Sequence, residues 1–231
     1  MEKTPPETET IIKLDSTIQS QSSKAYDILE GMLVSLELKP GTIFTESEVS
    51  KLIGLGRTPV REALLRLALE KLVIAIPRRG FQVTSANVRE QLLVLEVRRP
   101  LDRFMATRAA RRANEEERAT FIRIGEGMKR AEEEGEELAF LRLDKEFNEL
   151  LSIASHNPFA RDAIGPLNTL SRRFWMANRT AERGSLIQTI EMHIAIIEAI
   201  VKGDETSAWK AADVLTDYNE AFARETVLLD F

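Results

Sequence analysis

Two groups of residues in this chain have the types and spacing to do chemistry. The first is cationic. Residues 57–79 hold Arg57, Arg61, Arg66, Lys71, Arg78 and Arg79 against only Glu62 and Glu70. Such a face attracts phosphate over about one Debye length, ~8–10 Å in physiological salt, whatever charge the rest of the chain carries. An arginine within it can also read guanine O6 and N7 with both prongs of its guanidinium. The second group is polar where an apolar stripe is expected. Leu141, Asp144, Asn148 and Leu151 run at helical spacing, as do Leu186, Ile190, His193, Ile197 and Ile200, and as do Val94, Arg98, Leu101 and Met105. Asp144, Asn148, His193 and Arg98 therefore point inward with their apolar neighbours. A buried polar group without a partner costs about 2–7 kcal/mol. These four must then satisfy one another as a plain polar core, or enclose a ligand. In the second case the enclosed ligand would be an anion, with Arg98 as the cation.

The elements that position these groups can be read from punctuation and period. Gly54 and Gly56 permit a turn. Thr58 before Pro59 predicts a helix start capped by Thr58, without a capping box, because Arg61 stands three residues later. Val60, Ala63, Leu64, Leu67 and Ala68 give that helix one buried stripe, and Arg57, Arg61 and Arg66 lie off it. Val73–Ile76 and residues 81–84 read as two short strands across a Pro77-Arg78-Arg79-Gly80 connection. Upstream, Ser22 or Ser23 can cap a helix carrying Tyr26, Leu29, Met32 and Leu33, and Pro40-Gly41 breaks the chain. Thr45 and Glu48 form a Thr-x-x-Glu capping box for a second helix, which carries Ser47 in its first turn.

GRTPVREALLRLALEKLV, followed by PRRGFQV, closely resembles the winged helix-turn-helix of the GntR family of bacterial transcription regulators. Gly56 stands where that family usually has Ser, which removes a hydroxyl able to cap or to face phosphate. The resemblance implies double-stranded DNA as a partner. It puts Arg57, Thr58, Arg61 and Ser47 on the DNA-facing helices, and Arg79 and Gly80 at the wing tip.

Past Ser85 every long segment has helical period, with candidate helices at 87–112, 115–133, 136–154, 159–179, 185–202 and 205–228. Pro100 predicts a kink or split in the first of them. This region resembles the all-helical effector domain, of FCD type, found in the FadR subgroup of the same family. VRRPLDRFMATRAA, FLRLDKEFNELLSIASHNP and MHIAIIEAIVKGDETSAWKAA carry the likeness. The expected class is mainly α: a winged helix-turn-helix over 21–85, an antiparallel bundle over 86–231 that binds effector and dimerises, and a flexible arm over 1–20. Many relatives hold a divalent ion (Zn, Ni or Mn) with Asp-x-x-x-His and two further histidines. Here Asp144 and His193 match the first and third ligand positions, Asn148 replaces the second and Leu215 the fourth. A divalent ion there would rest on Asp144 and His193 with Asn148 beside them, and Asp213 and Asp217 are expected to face away. Arg172 is a further candidate to line the effector site. His156 reads as a loop residue.

Composition sets the outer bounds. The 231 residues carry a formal charge of −5, contain no cysteine, and show no apolar run long enough for a membrane span. The chain has no secretory signal pattern, so the expectation is a cytoplasmic protein without a membrane partner. The leading expectation is a homodimeric repressor on a palindromic operator, released by a small organic or sugar acid. Its rivals are an architectural DNA binder with a non-functional pocket, and a small metal-dependent enzyme using Asp144 and His193.

Overall fold

The computed structural model describes residues 20–180 and 184–227. The arm expected over 1–20 lies outside them except for Ser20. That residue, rather than Ser22 or Ser23, caps α1 (Gln21–Val34), because its side chain accepts from the Ser23 N–H. A short strand, β1 (Ile43–Phe44), precedes α2 (Glu46–Ile53). The Thr45–Glu48 capping box forms at the start of α2, and Gly54 ends it in the left-handed conformation. α3 (Arg57–Leu69) is capped by Gly56 and not by Thr58, which sits inside the first turn. Glycine has no side chain to offer there, so no side-chain hydrogen bond closes that end.

β2 (Val73–Ile76) and β3 (Gly80–Val83) pair antiparallel, with Val73 opposite Val83 and Ile76 opposite Gly80. β1 adds to the other edge of β3, with Phe44 opposite Phe81, so the wing is three-stranded rather than two-stranded. Two residues between a Pro-Gly turn and a helix cap are too few to leave a period in the sequence. Gly80 is fixed by this third strand. Its φ is +106°, and an added Cβ would run into the Phe44 carbonyl oxygen.

The bundle consists of α4 (Val88–Arg112), α5 (Glu115–Glu133), α6 (Glu137–Ala154), α7 (Pro158–Asn178), α8 (Leu186–Lys202) and α9 (Glu205–Val227). These boundaries fall within a residue or two of the candidate ranges read from helical period. Asn87, Asn114, Asn157 and Ser185 each accept a backbone N–H at a helix start. Pro100 does not split α4, which runs unbroken for 25 residues. Pro100 is exposed, so the Glu96 carbonyl that it leaves without a helical donor faces water. α4 packs against α9, and α8 contacts both.

The apolar residues form two cores. One joins α1–α3 to the wing around Leu29, Leu64, Leu67 and Leu72. The other fills the bundle around Met105, Phe121, Phe147 and Ile200. α7 bridges them: Leu170 packs on the first core, whereas Val34 of α1 belongs to the second.

Candidate functional site

The cationic face forms at the start of α3. Arg57, Thr58 and Arg61 are all exposed there, beside backbone N–H groups that no side chain caps. A helix N-terminus of this kind, flanked by guanidinium groups, suits a phosphate. The first turn of α2 holds the two arginines in place. Arg57 donates to Ser47 Oγ at 3.1 Å, and Arg61 Nε lies 3.9 Å from Glu46 Oε1. Arg66 turns the other way, with its guanidinium 3.6 Å above the Tyr26 ring and its Nε donating to Glu70 at 3.0 Å. It is thereby committed to joining α3 to α1. Arg78 and Arg79 are exposed at the β2–β3 connection, and Gly80 is the first residue of β3.

The inward polar residues meet in the bundle. Asp144 Oδ1 lies 3.0 Å from His193 Nε2, and His193 Nδ1 lies 2.7 Å from the Thr189 carbonyl. Both neighbours are acceptors, so each ring nitrogen faces an oxygen able to receive its proton. Phe140 and Phe147 pack edge-to-face against it. Burial alone would raise the Asp144 carboxyl. The His193 hydrogen bond and charge, with the charges of Arg172 and Arg98, hold it below its ordinary value instead. Asn148 is buried beside this pair, its Nδ2 donating to the Asp144 carbonyl at 2.8 Å.

Arg98 is buried as its stripe predicts, but its Nε donates to Asp102 Oδ2 at 3.1 Å. Asp102 is buried as well. Burial raises its carboxyl above the ordinary value although Arg98 opposes the shift. Arg172, also inward, pairs with Glu30 of α1, and its Nε stands 3.9 Å from Asp144 Oδ2. That distance is too long for a hydrogen bond. Neither of those two atoms has a hydrogen-bond partner.

A cavity of about 50 Å³ opens against Arg98, Asp144, Asn148, Arg172, His193 and Leu215. At roughly 10–15 Å³ per water it holds several waters or one small solute. Thr189, Ser171 and Asn219 add hydroxyl and amide groups to its wall.

Two families match the chain. The FCD domain family matches residues 93–216, and the family described as "Bacterial regulatory proteins, gntR family" matches residues 21–83. The chain belongs to the GntR regulators with an FCD domain. It is 29% identical to the uncharacterised HTH-type transcriptional regulator YdhC of Bacillus subtilis, over 79% of this chain and 82% of that one. It is 27% identical to the HTH-type transcriptional repressor RspR of Escherichia coli, over 84% of each. Among solved structures, E. coli McbR/YncC shares the fold with a TM-score of 0.79 at 20% identity, covering 91% of this chain and all of that one.

For this GntR regulator the donor set does not fit a resident divalent ion. Asp144 and His193, the two retained ligand positions, have their facing atoms bonded to each other. Leu215 lines the cavity without a donor atom, and Asn148 turns its amide nitrogen back to its own helix. Asp213 and Asp217 face away, held by Arg103 and Arg99. Among the described residues no three His, Cys, Asp or Glu side chains lie close enough to hold an ion together.

Sequence reading missed Asp102, Thr189 and Asn219. Asp102 stands four residues after Arg98, an ion-pair spacing, and Asn219 one turn after Leu215 on the same face of α9. Those spacings were the available signals. Glu30 had none, because its partners lie on α6 and α7. His156 follows α6 with a positive φ, as a loop residue, and its Nε2 lies 3.2 Å from Glu117 Oε2.

Proposed function

We propose that this transcription regulator binds a palindromic operator as a homodimer, and that a small hydroxylated organic acid in the bundle cavity releases it. It works in the cytoplasm as a binding protein, with no catalytic step. Residues 21–85 carry the DNA contacts. Arg57 and Arg61 face base edges and phosphates, Thr58 and Ser47 face the backbone, and Arg79 follows the groove from the wing. Residues 86–231 carry the effector site and the dimer contact.

One observation carries the effector reading. Asp144 Oδ2, an acceptor, and Arg172 Nε, a donor, face each other at 3.9 Å with no other hydrogen-bond partner. A hydroxyl group donates to the first and accepts from the second, and buried atoms of this kind are otherwise costly. The acid's carboxylate then takes the Arg98 side of the cavity. Repression relieved by ligand follows if the ligand-bound arrangement presents the two recognition helices out of register with the operator half-sites.

The test is selection from a pool of random DNA duplexes by the full chain. A two-fold symmetric sequence should be enriched, and the doubly substituted Arg57→Ala, Arg61→Ala chain should fail to enrich it. Equal retention of all sequences by the unsubstituted chain would overturn the reading.

A further inference from the structure

We propose that Arg172 is the relay between the cavity and the DNA-binding half of the molecule. A ligand oxygen in the cavity and Glu30 of α1 pull on different nitrogens, Nε and Nη2, of its one rigid guanidinium. The inference rests on the cavity being an effector site and adds how occupancy is transmitted.

Arg172 lies on α7 with its side chain 10% exposed, between two anions on different elements. Its Nη2 pairs with Glu30 Oε1, while its Nε faces Asp144 Oδ2 on α6. Glu30 is 2% exposed, so its charge relies mainly on its protein partners. Its remaining contacts are Thr169 Oγ1 at 3.0 Å and Lys145 Nζ at 2.7 Å. A guanidinium is a rigid planar fork. A ligand oxygen that accepts from Nε and draws it in from its 3.9 Å stand-off with Asp144 pulls the whole fork, and so Nη2, away from Glu30. α1 then keeps Lys145 but loses its ion pair to α7.

The next residue shows what a fixed contact looks like. Arg173, also 2% exposed, donates to the Leu72 carbonyl, Thr84 Oγ1 and the Ser85 carbonyl, all at the foot of the wing. It does not line the cavity. Arg173 therefore pins the wing to α7 whatever the cavity holds, and Arg172 is the contact that can exchange. The two together make α7 a pivot: the wing stays and α1 tilts. Ligand binding acts on DNA affinity through the difference between the two states of the Arg172–Glu30 pair, and DNA binding must act back on ligand affinity by the same factor.

The exchange can be tested without operator or effector, by altering the charge in the cavity and reading α1. Amide hydrogen exchange is measured across α1 in the full chain, in Asp144→Asn, in Arg172→Gln and in the double variant. With its cavity anion gone, Arg172 settles on Glu30. Exchange around Glu30 should slow in Asp144→Asn by about fivefold or more, the lower end of usual site-to-site coupling. In the Arg172→Gln background the same substitution should change nothing. If Asp144→Asn does not fold, the path is read from its other end. The chain has two histidines, and the ring signals of His193 should move in Glu30→Gln while exposed His156 stays still. Unchanged α1 exchange in Asp144→Asn, or an equal change with and without Arg172, would overturn the relay. Because no DNA is present, that failure is separate from a failure of operator selection.

Discussion

Glu30 and Arg172, 142 residues apart in the chain, form an ion pair that ties the first helix of the DNA-binding half to the helix that walls the cavity. Glu30 also accepts Lys145 Nζ from α6, so one carboxylate gathers two cations from the bundle. Replacing it with alanine leaves both cations facing a buried gap. Glu30→Ala should cost about 3–5 kcal/mol of stability. Glu30→Gln, which still accepts from Thr169 and Arg172, should cost distinctly less. Urea unfolding of the two variants measures the difference.

Acid should undo the same contacts. Burial would raise the Glu30 carboxyl, but the charges of Arg172 and Lys145 hold it below its ordinary 4.5. Asp144 is likewise held below 3.8. A carboxyl depressed on folding contributes stability that is complete above its unfolded value and is lost as pH falls through the folded one. Asp102 runs the opposite way. Burial raises it, so its protonation on acidification recovers a small cost. Melting temperature should therefore hold from neutral pH down to about 5 and then drop. In Glu30→Gln the drop should be shallower, and a curve that stays parallel to the parent would contradict the assignment.

Gly80 is required for shape before any contact with DNA. With φ at +106° and the Phe44 carbonyl against its α-carbon, Gly80→Ala incurs about 1–3 kcal/mol of backbone strain, to which the clash adds. The variant should melt earlier and lose DNA binding only as far as the wing unfolds. A variant as stable as the parent would mean that β1 does not press on β3.

Arg61 is exposed and bonded to nothing closer than Glu46 at 3.9 Å, so its removal should not touch the fold. Arg61→Ala should leave the melting temperature in place while weakening operator binding by about 1–3 kcal/mol. Anisotropy titration on the selected operator measures it. Undiminished affinity would place the recognition surface elsewhere.

Much of this was legible in the chain because helix period and caps are local. The stripes place Asp144, Asn148, His193 and Arg98 inward, and helical period bounds the six helices of the bundle. Period says which side of a helix is buried and nothing about what it meets. The stripe makes Arg98 the cation for a ligand anion, whereas its Nε is already taken by Asp102 one turn along the same helix. Glu30 left no trace at all, since its significance comes from α6 and α7. β1 was invisible for a different reason: its two residues become a strand only when β3 is beside them. Thr58 was taken for the cap because a hydroxyl before proline is the usual signal. The chain instead caps α3 with Gly56, so that Thr58 falls inside the first turn, leaving N–H groups that DNA can use.

The most direct measurement is operator affinity by anisotropy, with the full chain titrated in the presence of small hydroxy acids and of the same acids lacking the hydroxyl. At least one hydroxy acid should weaken binding about tenfold, within the usual range of coupling between sites. Its deoxy analogue should do less, and Glu30→Gln should lose most of the effect while still binding DNA. Operator affinity unmoved by every hydroxy acid, or moved equally in Glu30→Gln, would contradict a cavity that reports to the DNA-binding half through Arg172.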